Sequence, residues 1–377
     1  MNDTGSPQLL SHGQVGVDIT STGLGVLTLN RPEALNALNL AMVRDLHAML
    51  QHWRHDPRVT GVLLQGVNRP GKPPAFCAGG DIRALHRAAT AGDPLVDDFF
   101  TEEYALDHLI HRYPKPVIAI MDGITMGGGM GLAQGARMRV VTERSQLAMP
   151  ETLIGLFPDV GAGWFLSRCP GRLGEYLALT GQTLNGAEAF ACELADFQVD
   201  SAALPEWLAA WPDLPEPSVY TEASAWSGGE LAKPALPAQD SFLDHQGPIY
   251  RHFTAPTLQG VFESLAADPS LWSQATLAAL NKRSPLMLGV ALEQIRRARG
   301  MELADIFRME RGMVHHCFHR RGGRPSETVE GIRARVVDKD QSPRWNPTRA
   351  VEVTQDEVMG FFESPWPAVD HPLRDLD

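Results

Sequence analysis

A chain of 377 residues, 44% of them apolar, can bury a substantial core as one large domain with an appendage or as two domains. A formal net charge of −12 with scattered basic residues argues against nucleic acid or an anionic membrane as the main partner. Four cysteines, Cys77, Cys169, Cys192 and Cys317, form no CxxC pair and read as thiols in a reducing cytosol.

The N-terminal MNDTGSPQLLSHGQVG carries neither the basic and apolar regions of a secretory signal nor an Arg-rich amphipathic pattern. The C-terminal RDLD is no peroxisomal address, and no apolar run approaches membrane-spanning length. The expectation is a cytoplasmic protein. VGVDIT and LGVLTLN read as paired strands across an STG turn. In LAMVRDLHAMLQHW, Leu40, Val43, Leu46, Leu50 and Trp53 recur at helical spacing. VTGVLLQGV and KPVIAIMDG are short buried strands bounded by Gly and Pro. Strand–helix units repeated in this way predict an α/β fold with helices covering sheets.

From about residue 201 the composition changes. LPEWLAAWPDLPEPSVY and LAKPALPAQD are rich in Pro and Ala and resemble a linker or irregular insertion more than a continued sheet. Helical patterns follow in LWSQATLAALNKRSP, LMLGVALEQIRRARG and LADIFRMERGMVHHCFH. The expected organisation is an α/β core over residues 1–200, a Pro/Ala-rich connection over 201–245 and a helical C-terminal part over 246–377.

Two glycine-rich turns stand at strand-to-helix junctions, AFCAGGDIRAL and ITMGGGMGLAQG. Each alone can be a tight turn or a packing contact. Together they can aim backbone N–H groups at one point, which suits a carbonyl oxygen gaining charge. LAMPETLIGLFPDVGAGW adds Glu151 and Asp159 in an otherwise apolar stretch. Apolar surroundings and a second carboxylate both raise a carboxyl pKa, and such groups suit acid, base or nucleophile work. A capping or salt-bridged pair is the plainer alternative.

LNRPEALNAL, AFCAGGDI, KPVIAIMDGITMGGGMGL and MPETLIGLFPDVG together resemble the enoyl-CoA hydratase/isomerase (crotonase) superfamily over roughly residues 15–200. GITMGGGMGL, PETLIGLFPDVG, FFTEEY and VDKDQSPRWNP are most similar to its 3-hydroxyisobutyryl-CoA hydrolase branch, to about residue 363. The resemblance implies a spiral of ββα units with a mainly helical C-terminal part. It implies an oxyanion hole made by the N–H groups of Gly80 and Gly128. Glu151 and Asp159 match the acidic pair of the hydrolases, and Glu103 in FFTEEY matches an acidic position lining their substrate site. Gly131 departs from the hydratases, which carry a glutamate there and add water with two glutamates.

His315 and His319 in HHCFH lie one helical turn apart, but no HExxH glutamate or Cys pair accompanies them, and no metal site is expected. The basic tracts RRARG (296–300) and HRRGGR (319–324) fit a solvated helix face better than a CoA-phosphate contact. The resemblance therefore implies an acyl-CoA thioester hydrolase without metal or redox cofactor. Its expected substrate is 3-hydroxyisobutyryl-CoA, with 3-hydroxypropionyl-CoA second. A homo-oligomer is possible on this resemblance. The rivals are a hydratase or isomerase of the same fold and a non-catalytic acyl-CoA binding protein.

Overall fold

The computed structural model describes residues 8–68, 71–212, 225–227, 230–232, 241–319 and 326–377. The chain divides into two compact units, each drawn from three stretches. The first takes Met1–Gly80, Leu106–Leu147 and Leu184–Leu236, and the second takes Asp81–Ala105, Ala148–Thr183 and Pro237–Asp377. The sequence pattern cuts the chain into contiguous segments, whereas these units interleave.

The first unit is built on strands β1 (Gln8–Leu10), β2 (Val15–Ile19), β3 (Leu24–Leu29), β4 (Gly61–Gly66), β5 (Ala75–Cys77), β6 (Val117–Met121), β7 (Ile124–Met126), β8 (Met138–Val141), β9 (Gln146–Ala148), β10 (Phe197–Val199), β11 (Ala225–Ser227) and β12 (Glu230–Ala232). Nine of them form one sheet in the order β1-β2-β3-β4-β6-β8-β10-β11-β12, and β5-β7-β9 form a second. β2 and β3 pair antiparallel as the expected hairpin. From β3 to β11 each neighbouring pair in the large sheet is parallel. β4, β6 and β8 belong to the large sheet, and the strand after each belongs to the small one. Alternation between the sheets is the expected ββα repeat, and it explains why β6, VIAIM, is apolar at every position: both faces are covered.

The helix Leu40–Trp53 forms where its periodicity places it. Asn39 caps it by accepting the Met42 N–H, and Met42, Val43, Leu46, Leu50 and Trp53 are buried. The Pro/Ala-rich stretch departs from expectation. Residues 213–224, 228–229 and 233–240 lie outside the described residues, but β11 and β12 continue the large sheet. Upstream of them Trp207 and Trp211 are buried against Leu24, Leu63, Ile118 and Val140. The described residues Trp207 and Trp211 thus belong to the core rather than to a linker.

The second unit is mainly helical. Its helix Pro285–Ala298 is buried at Leu286, Met287, Leu288, Val290, Leu292 and Ile295, too many for one stripe, and it packs on Ala162–Ser167, Leu173–Thr180 and Gln355–Met359. Ser284 caps it from the Met287 N–H and donates its own hydroxyl to Glu327 Oε2 at 2.5 Å.

Candidate active site

The glycine turns lie in the first unit. After β5, Gly79 takes φ +102, where a Cβ would lie 3.2 Å from the Met126 carbonyl oxygen and 3.5 Å from Gly128 N. The two turns are thus packed against each other. Gly127 takes φ 49 and ψ −123, a conformation that glycine adopts without penalty. A Cβ on Gly129 would sit 2.2 Å from the Cys77 carbonyl oxygen. Two glycines of the triplet, Gly127 and Gly129, therefore have structural causes in the turn itself. Gly128 opens the helix Gly128–Gln134, so its N–H has no intrahelical acceptor. Gly80 makes a parallel bridge to Leu38.

The carboxyls lie in the second unit, and it brings them together. Glu151 opens the short 3-10 turn Glu151–Ile154, which Gly155 ends at φ 72. Asp159 follows in the loop before the helix Ala162–Ser167, and Glu103 comes from the helix Leu95–His111. All three are buried. Tyr104, next to Glu103, is fully buried and donates its hydroxyl to Asp159 Oδ2 at 2.8 Å. Glu103 Oε1 and Glu151 Oε2 have no hydrogen-bond partner among the described residues.

Burial raises the pKa of each carboxyl in this set, and repulsion adds to it for Glu103 and Glu151. Glu103 is held well above the ordinary glutamate value, first by burial and then by the charges of Asp159 and Glu151. Glu151 is raised by burial and by Asp159, while Arg283 opposes the shift. Asp159 rises to about 6 by burial, with the Tyr104 hydrogen bond pulling it down. These groups titrate as a set. A buried carboxyl with an unpartnered oxygen can take a proton from water or attack an electrophilic carbon.

Several contributors carried no signal in the sequence. Tyr104 sits inside FFTEEY, but its burial cannot be read from that motif. Glu310 accepts the Gly161 N–H at 2.7 Å and the Gly163 N–H at 2.8 Å across about 150 positions of chain. Arg283, also buried, donates to Thr152 Oγ1 at 2.9 Å and to the Thr180 carbonyl oxygen.

The histidine pair finds a partner from another helix. His315 Nδ1 and His319 Nε2 lie 3.3 and 3.0 Å from the two oxygens of Asp97, a set able to ligate a metal ion. Arg311 already donates to Asp97 Oδ1 at 2.7 Å, and a divalent ion there would face that guanidinium at close range. In RRARG, Arg296 donates to the carbonyl oxygens of Phe253, Ala255 and Pro256, and Arg299 pairs with the buried Glu175. Arg296 thus ties the unit together, while Arg299 remains exposed beside its partner. Residues 320–324 of HRRGGR lie outside the described residues. The four cysteines are buried thiols, and no helix among the described residues is long and apolar enough to cross a membrane.

A family model described as enoyl-CoA hydratase/isomerase matches residues 24–362. The mitochondrial 3-hydroxyisobutyryl-CoA hydrolase of Homo sapiens is 39% identical over 345 residues, covering 90% of this chain and 86% of the relative. That of Xenopus tropicalis is 40% identical over 343 residues with the same coverage. A solved carnitinyl-CoA dehydratase from Mycobacterium thermoresistibile superposes with a TM-score of 0.83 at 33% identity, covering 97% of this chain and 99% of its own. An enoyl-CoA hydratase structure from Rhodobacter sphaeroides gives 0.80 at 36% identity, covering 93% and 98%. The hydrolase relatives are named as mitochondrial, which overturns the expectation of a cytoplasmic protein. Buried thiols report a redox state, and more than one compartment shares it.

Proposed function

The chain belongs to the enoyl-CoA hydratase/isomerase family, and from that premise we propose that it hydrolyses 3-hydroxyisobutyryl-CoA, an intermediate of valine breakdown, to 3-hydroxyisobutyrate and CoA. The buried pair Glu151 and Asp159 carries this reading, set beside a glycine at position 131. Hydration of an enoyl thioester in this family uses two glutamates, and position 131 supplies none.

Glu151 is assigned the opening step by one of two routes. As base it draws the proton from a water whose oxygen adds to the thioester carbonyl carbon, and the C–S bond then breaks. As nucleophile its carboxylate adds to that carbon, the C–S bond breaks to leave a mixed anhydride, and water then hydrolyses the anhydride and restores the carboxylate. In both routes CoA leaves as a thiolate that takes a proton. Both routes need it ionised, although burial favours its protonated form. The N–H groups of Gly80 and Gly128 are assigned the charge that develops on the thioester oxygen; one such donor is typically worth about 100- to 1000-fold in rate. Asp159 is assigned the substrate hydroxyl, the water or the leaving thiolate, and Glu103 a place lining the acyl group. No step calls for a metal or redox cofactor.

The test is thiol release from 3-hydroxyisobutyryl-CoA and 3-hydroxypropionyl-CoA beside hydration of crotonyl-CoA, in the wild type and in Glu151→Gln. Fast CoA release, negligible hydration and a loss of orders of magnitude in Glu151→Gln are expected. Hydration at a rate comparable with hydrolysis would return the chain to the hydratases. Binding without thiol release would make it a carrier.

A further inference from the structure

Asp159 is followed by Val160, whose φ of 54 puts a β-branched side chain in the left-handed region, and then by Gly161 at φ 83. For valine this is a strained conformation, which persists only where the surroundings over-determine it. Those surroundings are two buried side chains from the helical C-terminal stretch. Gln294, on Pro285–Ala298, donates its Nε2 to the Pro158 carbonyl oxygen at 2.7 Å, just before Asp159. Glu310, on Leu303–Phe318, takes the Gly161 N–H on Oε2 and the Gly163 N–H on Oε1, just after it. Gln294 Nε2 also donates to Glu310 Oε1 at 2.8 Å, joining the two halves of the clamp. Both residues are fully buried.

Capping alone does not account for this arrangement. The helix Ala162–Ser167 receives no side-chain cap from its own N-cap residue, so Glu310 does serve its free N–H groups. A cap has no use for the bond on the other side of Asp159, at Pro158. Burying a carboxyl for the purpose is also costly, and burial pushes Glu310 up to about 8 although the Gly163, Gly161 and Gln294 donors oppose it.

We propose that Glu310 and Gln294 are positioning residues that fix the Asp159 carboxyl for thioester hydrolysis, bracketing its strained turn from both sides. The proposal rests on the reading that Asp159 takes part in that reaction. It gives the helical C-terminal stretch a part in the chemistry without contact with the reacting atoms.

A double-mutant cycle in the full-length protein tests it, with Glu310→Gln made in the wild type and in Asp159→Asn. The amide keeps the shape but turns one acceptor into a donor facing an N–H group. A misplacement of about 1 Å can cost about 100-fold, so kcat on 3-hydroxyisobutyryl-CoA is expected to fall roughly 10- to 100-fold with KM changed only a few-fold. In Asp159→Asn the same substitution is expected to cost under about 3-fold, because the group it positions has already lost its function. An equal loss in both backgrounds, or none in either, would overturn the proposal. Should Glu310→Gln fail to fold, Gln294→Met, which removes only the Pro158 and Glu310 bonds, is carried through the same cycle under the same criteria. Wild-type CoA release by Asp159→Asn alone would overturn the role of Asp159 and this proposal with it, and that outcome is visible before Glu310 is touched.

Discussion

The carboxyls of the candidate site were legible as single residues because charge is conspicuous in an apolar run such as LIGLFPDVG. What could not be read is what holds them. Tyr104 adjoins Glu103 in sequence, yet its hydroxyl reaches Asp159 across 55 positions. Glu310 meets its partners across 147 and 149, with no periodicity or motif linking the two stretches. Tyr104 nonetheless has a measurable consequence. Its hydrogen bond favours the Asp159 anion, against burial that disfavours it, and the balance falls at about 6. Tyr104→Phe removes the favourable part only, so the Asp159 proton should be held to higher pH. The limb of the kcat/KM profile that reports the carboxyl set should move upward between pH 5 and 9, measured by thiol release. An unmoved limb would show that the bond does not tune Asp159.

At the scale of elements, apolar runs marked by periodicity or by a bounding glycine or proline are legible in the sequence, whereas the short strands within the Pro/Ala-rich stretch are not. The helix Leu40–Trp53 shows four turns of apolar spacing, and the β2–β3 hairpin shows a turn between two apolar runs. β11 and β12 have three residues each, too few for alternation to emerge from a Pro/Ala-rich background. The glycine turns fall between these cases. Their positions were plain, but only the packed structure shows which glycines the fold itself requires. Gly129 is one of these: a methyl group there would meet the Cys77 backbone, which cannot move aside like a side chain. Gly129→Ala should therefore lower the melting temperature by several degrees, as overpacking costs about 1–3 kcal/mol. It should also reduce CoA release by shifting the turn that carries Gly128. A melting temperature equal to that of the wild type would mean that the two turns are less tightly joined than the geometry states.

The whole molecule buries several carboxyls whose pKa burial raises, and its pH dependence should show it. Neither the interleaving of the units nor the burial of these carboxyls is visible in a net charge of −12, which counts every carboxyl as ionised. Burial raises Glu327 to about 7 and Glu310 to about 8, above the ordinary glutamate value of 4.5. For a carboxyl whose folded pKa is raised, stability is full below the unfolded value and is lost as pH rises through the folded one. Buried His111, held at about 3 chiefly by desolvation, acts only below its unfolded value of 6.5. Carboxylates lowered by ion pairs, such as Glu330 at about 2, act only at still more acidic pH. The window from pH 6.5 to 8 thus reports the raised carboxyls, below the range near 9 where buried Cys192, pushed up to about 12 by burial, begins to contribute through the unfolded chain. Across it the melting temperature should fall steadily as pH rises. Glu310→Gln cannot ionise, so its melting temperature should fall less over the same range, whatever its absolute value. Calorimetry of both proteins at half-unit steps decides the matter: parallel curves would mean that Glu310 ionises in the folded protein no later than in the unfolded chain, and that its three N–H donors outweigh its burial.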